Sequence, residues 1–193
     1  MFSSLLHRLQ DVCLQAATPI TRRCVRLAPK LLLDALPCLG SVLYVPMHPH
    51  ASSVWLMPRG LLVADMRLAP LLQARWLVAA STITVDGPRE WIECMDRDRR
   101  LCARLYLLPD TDYLAWDALL ANGEPATNPD RRPTPAWPAS AQLLCFHRYR
   151  LGGLDVLDGE TSTGASPLST QLAGHIARLD VVSRDPHAGH RAS

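Results

Sequence analysis

Apolar positions along the first seventeen residues recur at helical spacing. Phe2, Leu5, Leu6, Leu9, Val12, Cys13 and Ala16 form one stripe, so a helix is expected over residues 2–17. Thr18-Pro19 ends it, because a residue before proline is pushed out of the helical region. A second helix is expected over Pro29–Leu36, with Pro29 suited to its first turn and Pro37 and Gly40 closing it. From there the pattern changes to short apolar runs between turn residues. Ser41–Val45, Ser53–Met57, Leu61–Asp65, Trp76–Val85, Arg89–Met95 and Leu101–Leu108 read as strands. Within the last of these, Leu101, Ala103, Leu105 and Leu107 alternate with Cys102, Arg104 and Tyr106, the period of a half-buried strand.

Asp86-Gly87-Pro88 and Asp96-Arg97-Asp98 are turn signals. Such short connections imply antiparallel neighbours, since parallel pairing needs long crossovers. A helix over 111–121 should follow, carrying Tyr113, Trp116, Leu119 and Leu120 and stopping at Asn122-Gly123. Residues 124–140 contain five prolines and read as a linker or surface arm. Ala141–Tyr149 is apolar enough for either a strand or a helix, and Gly152-Gly153 breaks it. A Ser/Thr/Gly loop over 159–169 leads to a helix over Leu168–Leu179, and the tail 186–193 is expected to be disordered. The expected fold class is α+β, a large antiparallel sheet (meander) with packed helices. Its segments are 1–121, an arm over 122–140, and a piece over 141–185 that completes the same domain.

Composition narrows the function classes. A chain of 193 residues supports one full domain. A net charge of +2 gives no case for nucleic acid. Nineteen of the twenty basic residues are Arg, the residue whose planar fork suits carboxylates and phosphates, although codon bias produces the same excess. Lys30 and Asp34 interrupt the richest apolar stretch, so no membrane span is expected. The six cysteines lack zinc-site spacing. Cys94 and Cys102 fall on the two arms of one hairpin and could approach each other, or be buried thiols of a cytosolic protein. A soluble, cytoplasmic protein is the expectation.

No nucleophile–base motif, metalloprotease motif or phosphate loop occurs, so no catalytic residues are expected. Histidines offer the candidate chemistry. His48-Pro49-His50 places two imidazoles within reach of a metal or haem iron, or forms a proline-fixed turn. Met47 beside them is an axial ligand or a core plug. His147, with Arg148, Tyr149 and Arg150, combines an imidazole, a phenol and guanidinium groups that suit a ring bearing an iron and two carboxylates, or forms an amphipathic surface segment. His175 reads as a structural residue of a helix.

Three blocks resemble one repeat of the haem-utilisation proteins of the HemS/ChuX type. LLDALPCLGSVLYV (31–45) is similar to the helix leading into that family's first strand. ADMRLAPLLQARWLVAASTI (64–83) resembles the stretch where a "D-L-R-L" segment precedes a Trp-bearing strand. REWIECMDRDRRLCARLYLLPDTDYLAWDALLA (89–121) resembles the hairpin and helix that close the repeat. The resemblance implies a single-repeat form, a homodimer, and haem as ligand, with a role in binding, storage, delivery or degradation of imported haem. An alternative keeps the fold without the haem site, leaving an interaction or regulatory protein. Where long members carry Thr-Arg-Asn and Val-His-Glu, this chain has Val45-Pro46-Met47-His48 and Val54-Trp55-Leu56, so no family ligand transfers residue by residue. The haem and iron candidates are therefore His48, His50 and His147, with Arg148 and Tyr149 as further haem contacts.

Overall fold

A computed structural model describes residues 19–47, 60–84, 87–127 and 140–182, with side chains described as far as 179. The expected N-terminal helix, the strand at Ser53–Met57, His48, His50 and most of the proline-rich segment lie outside the described residues.

Among the described residues, nine strands form one sheet in the order β3-β9-β8-β2-β6-β5-β4-β1-β7. They are β1 (Thr21–Arg26), β2 (Ser41–Pro46), β3 (Leu61–Val63), β4 (Trp76–Thr84), β5 (Gly87–Met95), β6 (Leu101–Tyr106), β7 (Glu124–Ala126), β8 (Gln142–Leu151) and β9 (Leu154–Thr161). Helices α1 (Pro29–Ala35), α2 (Ala69–Gln73), α3 (Tyr113–Ala121) and α4 (Pro167–Val182) pack on it. The α+β class and its large sheet are as expected from the apolar runs.

The meander holds for β4-β5-β6, whose turns are short enough to keep neighbours antiparallel. It does not extend further, because β2 crosses to pair with both β6 and β8. β3 joins β9 in a parallel pair at the edge. Strand β1 has no counterpart among the expected elements. Its three arginines in TRRCVR hide the period, yet it pairs with β4 from Thr21↔Ser81 to Arg26↔Trp76. Ala141–Tyr149 is a strand, and Gly152 and Gly153 form the tip of its hairpin with β9, each at positive φ where glycine carries no Cβ penalty.

One face of the sheet carries the main core. Val42, Tyr44, Leu77, Ile92, Cys94, Ala103, Leu105, Leu144 and Phe146 project into it at every second strand position and meet Leu32, Leu33, Leu71, Leu72, Trp116 and Leu119 from α1, α2 and α3. Helix α3 starts at Asp112, whose carboxylate accepts the Ala115 N–H at 2.9 Å. It is anchored by Trp116, whose Nε1 donates to Glu90 Oε1 at 2.9 Å. The opposite face is covered by α4, whose Ala173 and Ile176 join Leu43, Val45, Leu101 and Tyr106. Met47 is buried in that second cluster and acts as packing.

Cys94 lies opposite Ala103, Met95 opposite Leu101, and the register shift between them leaves Cys102 as an extra residue on β6. Cys94 and Cys102 are free thiols, and burial pushes the Cys94 thiol up to about 12.

Candidate functional site

A cleft opens on the α4 side of the sheet, where β4, β5 and β6 run beneath the C-terminal half of the helix. Thr82, Thr84, Arg89, Trp91, Arg104 and Tyr106 line it from the strands, and Ile176 and Leu179 from α4. The strand contributions follow from period two: 82 and 84, 89 and 91, 104 and 106 each sit two apart and face the same way. Register then aligns them. Thr82 lies opposite Arg89, and Trp91 opposite Tyr106. The Trp91 and Tyr106 rings lie 6.2 Å apart at an interplanar angle of 33°, a tilted aromatic wall.

Below this wall, Glu93 and Arg104 form a cross-strand ion pair. Arg104 donates from Nε at 3.3 Å, and its Nη2 lies 3.2 Å from the same Glu93 Oε1. The side chains are 2% and 12% exposed, so the pair is held largely out of water. At the strand ends, Thr84 Oγ1 donates to the Gly87 carbonyl at 2.9 Å and closes the β4–β5 turn. The cleft volume is about 210 Å³. Pockets that bury a drug-sized ligand occupy roughly 300–1,000 Å³, so a larger flat ligand could enter by one edge only.

Helix α4 brings one more group. His175 is one turn from Leu179, and residues four apart share a helix face, so the imidazole is on the side that borders the cleft. From the sequence alone it reads as a structural helix residue. The i, i+4 spacing to Leu179 was available, but nothing in the chain says which face of that helix meets the sheet.

The other candidates are placed differently. His147 and Tyr149 lie on the α4 side of β8, and Arg148 and Arg150 project to the opposite face. A strand separates neighbours in sequence this way, whereas a helix could have clustered them. Arg148 pairs with Asp34 of α1, and Arg150 lies 3.7 Å from Asp155. They tie the β8–β9 hairpin to α1, with Lys30 bridging Asp34 and Asp155 at 3.4 and 3.5 Å. His147 Nε2 is 3.6 Å from Glu160 Oε2, and both are exposed. Between β8 and β5 stand β2 and β6, about 14 Å at ordinary strand spacing. His147 and Tyr149 thus share a face with the cleft but do not line it.

Among the described residues no group of three or more His, Cys, Asp or Glu side chains could hold a metal ion. No described helix is long and apolar enough to cross a membrane.

No protein-family model matches the sequence. No curated protein matches it either. Among solved structures, the haem-degrading enzyme ChuS of Escherichia coli O157:H7 is 17% identical with a TM-score of 0.38, over 58% of this chain and 39% of that one. Holo-PhuS, a haem-binding protein of Pseudomonas aeruginosa, is 22% identical with a TM-score of 0.37, over 60% of this chain and 39% of that one. The chain spans about two fifths of the length of either protein.

Proposed function

We propose that the protein binds haem in the cleft beneath α4, in storage or delivery of imported haem in the cytoplasm, and that it works as a homodimer. The observation that carries this reading is the convergence of three chemistries on one sheet face. Trp91 and Tyr106 offer flat apolar area for a porphyrin. Arg89 and Arg104 offer donors of the kind that hold a carboxylate. His175 offers an imidazole on the bordering face of α4. The resemblance of residues 31–121 to a haem-utilisation repeat points the same way, and unbridged cysteines fit a reducing compartment.

Iron ligation is assigned to His175, on the helix that borders the cleft, ahead of His147 on β8, although neither is among the residues that line it. His48 and His50, which follow β2 in the chain, are further candidates, as is Tyr149 on the same face of the sheet. Arg148 projects to the face opposite the cleft, where it pairs with Asp34, and is given no haem contact.

Titration with hemin tests the reading. A saturable Soret shift at one haem per chain is expected, lost in His175→Ala and kept in His147→Ala. Binding without saturation, or a shift that survives removal of His175, His48 and His50 together, refutes it. One observation favours a second reading, an interaction or regulatory protein of the same fold: the cleft is smaller than a porphyrin needs. A chain that ignores hemin and co-purifies with a protein partner would support that reading. Size-exclusion chromatography with light scattering tests the dimer.

A further inference from the structure

One buried cluster on the α4 side of the sheet consists of strand residues alone. Cys24, Val78 and Met95 are 5%, 1% and 2% exposed, with half-buried Trp76 and Ala126 beside them. Cys24 and Val78 project away from the main core, since their neighbours Val25, Leu77 and Ala79 belong to it. Ala80, two positions along β4 from Val78, shares their face and is 2% exposed. A sheet face stays this dry beneath a second layer. Helix α4 supplies such a layer over β2 and β6 through Ala173 and Ile176. Among the described residues, no helix joins the cluster of Cys24, Val78 and Met95.

The point where the chain enters the sheet indicates what covers this half of the face. Thr82 projects to the same side as Val78, and its Oγ1 donates to the Pro19 carbonyl at 3.5 Å, just before β1 begins at Thr21. Residues 1–18 therefore reach the sheet at the Thr82 end of the face. From Thr82 to Trp76 is about 20 Å of strand. A helix over residues 2–17 would be about 24 Å long, enough to run back along β4 as far as Trp76. Its stripe of Phe2, Leu5, Leu6, Leu9, Val12, Cys13 and Ala16 is the apolar side that such a layer needs. Other stretches fit less well. Residues 48–59 join β2 to β3 at the far edge, 128–139 offer Trp137 as their one large apolar side chain, and 183–193 offer none.

We propose that this half of the sheet is the docking surface for the chain's own N-terminal segment, residues 2–17, whose apolar stripe packs on Cys24, Val78, Ala80 and Met95. The inference is independent of what the cleft binds.

Thiol labelling of the full chain with N-ethylmaleimide, mapped by mass spectrometry, tests it. Cys24 should be protected in wild type. In the double variant Leu5→Asp, Leu9→Asp it should react more than about tenfold faster, while Cys94 in the main core stays protected and reports that the sheet is still folded. Rapid labelling of Cys24 in wild type, or continued protection in the folded variant, overturns the proposal. Protection in wild type that disappears on dilution assigns the cover to a second copy and overturns it as well.

A cross-linking measurement applies if the double variant does not fold. With Leu6→p-benzoylphenylalanine, irradiation should join residue 6 to β1, β4 or β5 of the same chain. Cross-links between two chains, or to none of these strands, refute the docking.

Discussion

Trp116→Phe isolates what fastens α3 to the sheet. Trp116 is 1% exposed, sits in the main core and donates Nε1–H to Glu90 at 2.9 Å. Phenylalanine keeps the aromatic contact with the core and removes the donor and about three heavy atoms. Loss of a hydrogen bond to a charged acceptor costs about 1.5–3 kcal/mol. The missing ring atoms add about 2 kcal/mol at roughly 0.8 kcal/mol per buried methylene-sized group. Glu90 is only half-buried, so water recovers part of the first loss. The net expectation is about 2–4 kcal/mol. For a chain of this length that corresponds to a Tm drop of roughly 5–15 °C. Urea denaturation followed by far-ultraviolet circular dichroism measures it, with Glu90→Gln and the double variant completing a cycle. A coupling energy near 1 kcal/mol is expected for partners in direct contact. A loss below about 1 kcal/mol, or strictly additive effects of the two substitutions, would refute the anchoring role of this contact.

Other consequences can be checked singly. Arg99 holds φ at 62° in a turn braced by Asp96 Oδ1, which accepts the N–H groups of Asp98 and Arg100. Arg99→Gly should therefore raise stability by up to about 1 kcal/mol in chemical denaturation, and a clear loss would show the turn is not strained. A Cβ at Gly123 would lie 2.6 Å from Val25 Cβ, so Gly123→Ala should cost about 1–3 kcal/mol and lower the urea midpoint; an unchanged midpoint would contradict that close approach.

Asp110 accepts the Ser166 N–H at the start of α4, and that bond lowers its carboxyl below the ordinary 3.8. A depressed folded value means that its contribution is present above about pH 3.8 and fades as pH falls through the folded value. Wild type and Asp110→Asn should then converge in stability on acidification, and a gap that widens would contradict this. With its thiol pushed up to about 12, Cys94 should resist iodoacetamide at pH 8 until the protein unfolds, while exposed Cys38 reacts at once.

Much of the fold was legible because local periods survive where polar residues mark one side of an element. Ala103–Tyr106 alternates visibly, since Arg104 stands between the core residues Ala103 and Leu105. The helix after it is bounded by Asp112 and by Asn122-Gly123, signals that act through backbone groups nearby in sequence. Less of the candidate site could be read this way. Arg148 looked like a partner of His147 because they adjoin in sequence, and only the strand conformation of β8 separates them.

By itself, then, the sequence determined the class of fold, the β4–β6 hairpins, α3 and the absence of a familiar catalytic motif. These depend on short-range patterning and turn chemistry. Tertiary structure decided the rest. It made a strand of TRRCVR, because β4 offered an open edge to pair with. It inserted β2 between β6 and β8 and laid α4 over the far face. It brought Arg89, Trp91, Arg104 and Tyr106 together with a helix some seventy residues onward in the chain. Strand order and helix docking depend on burial summed over distant segments, and no local period records that sum.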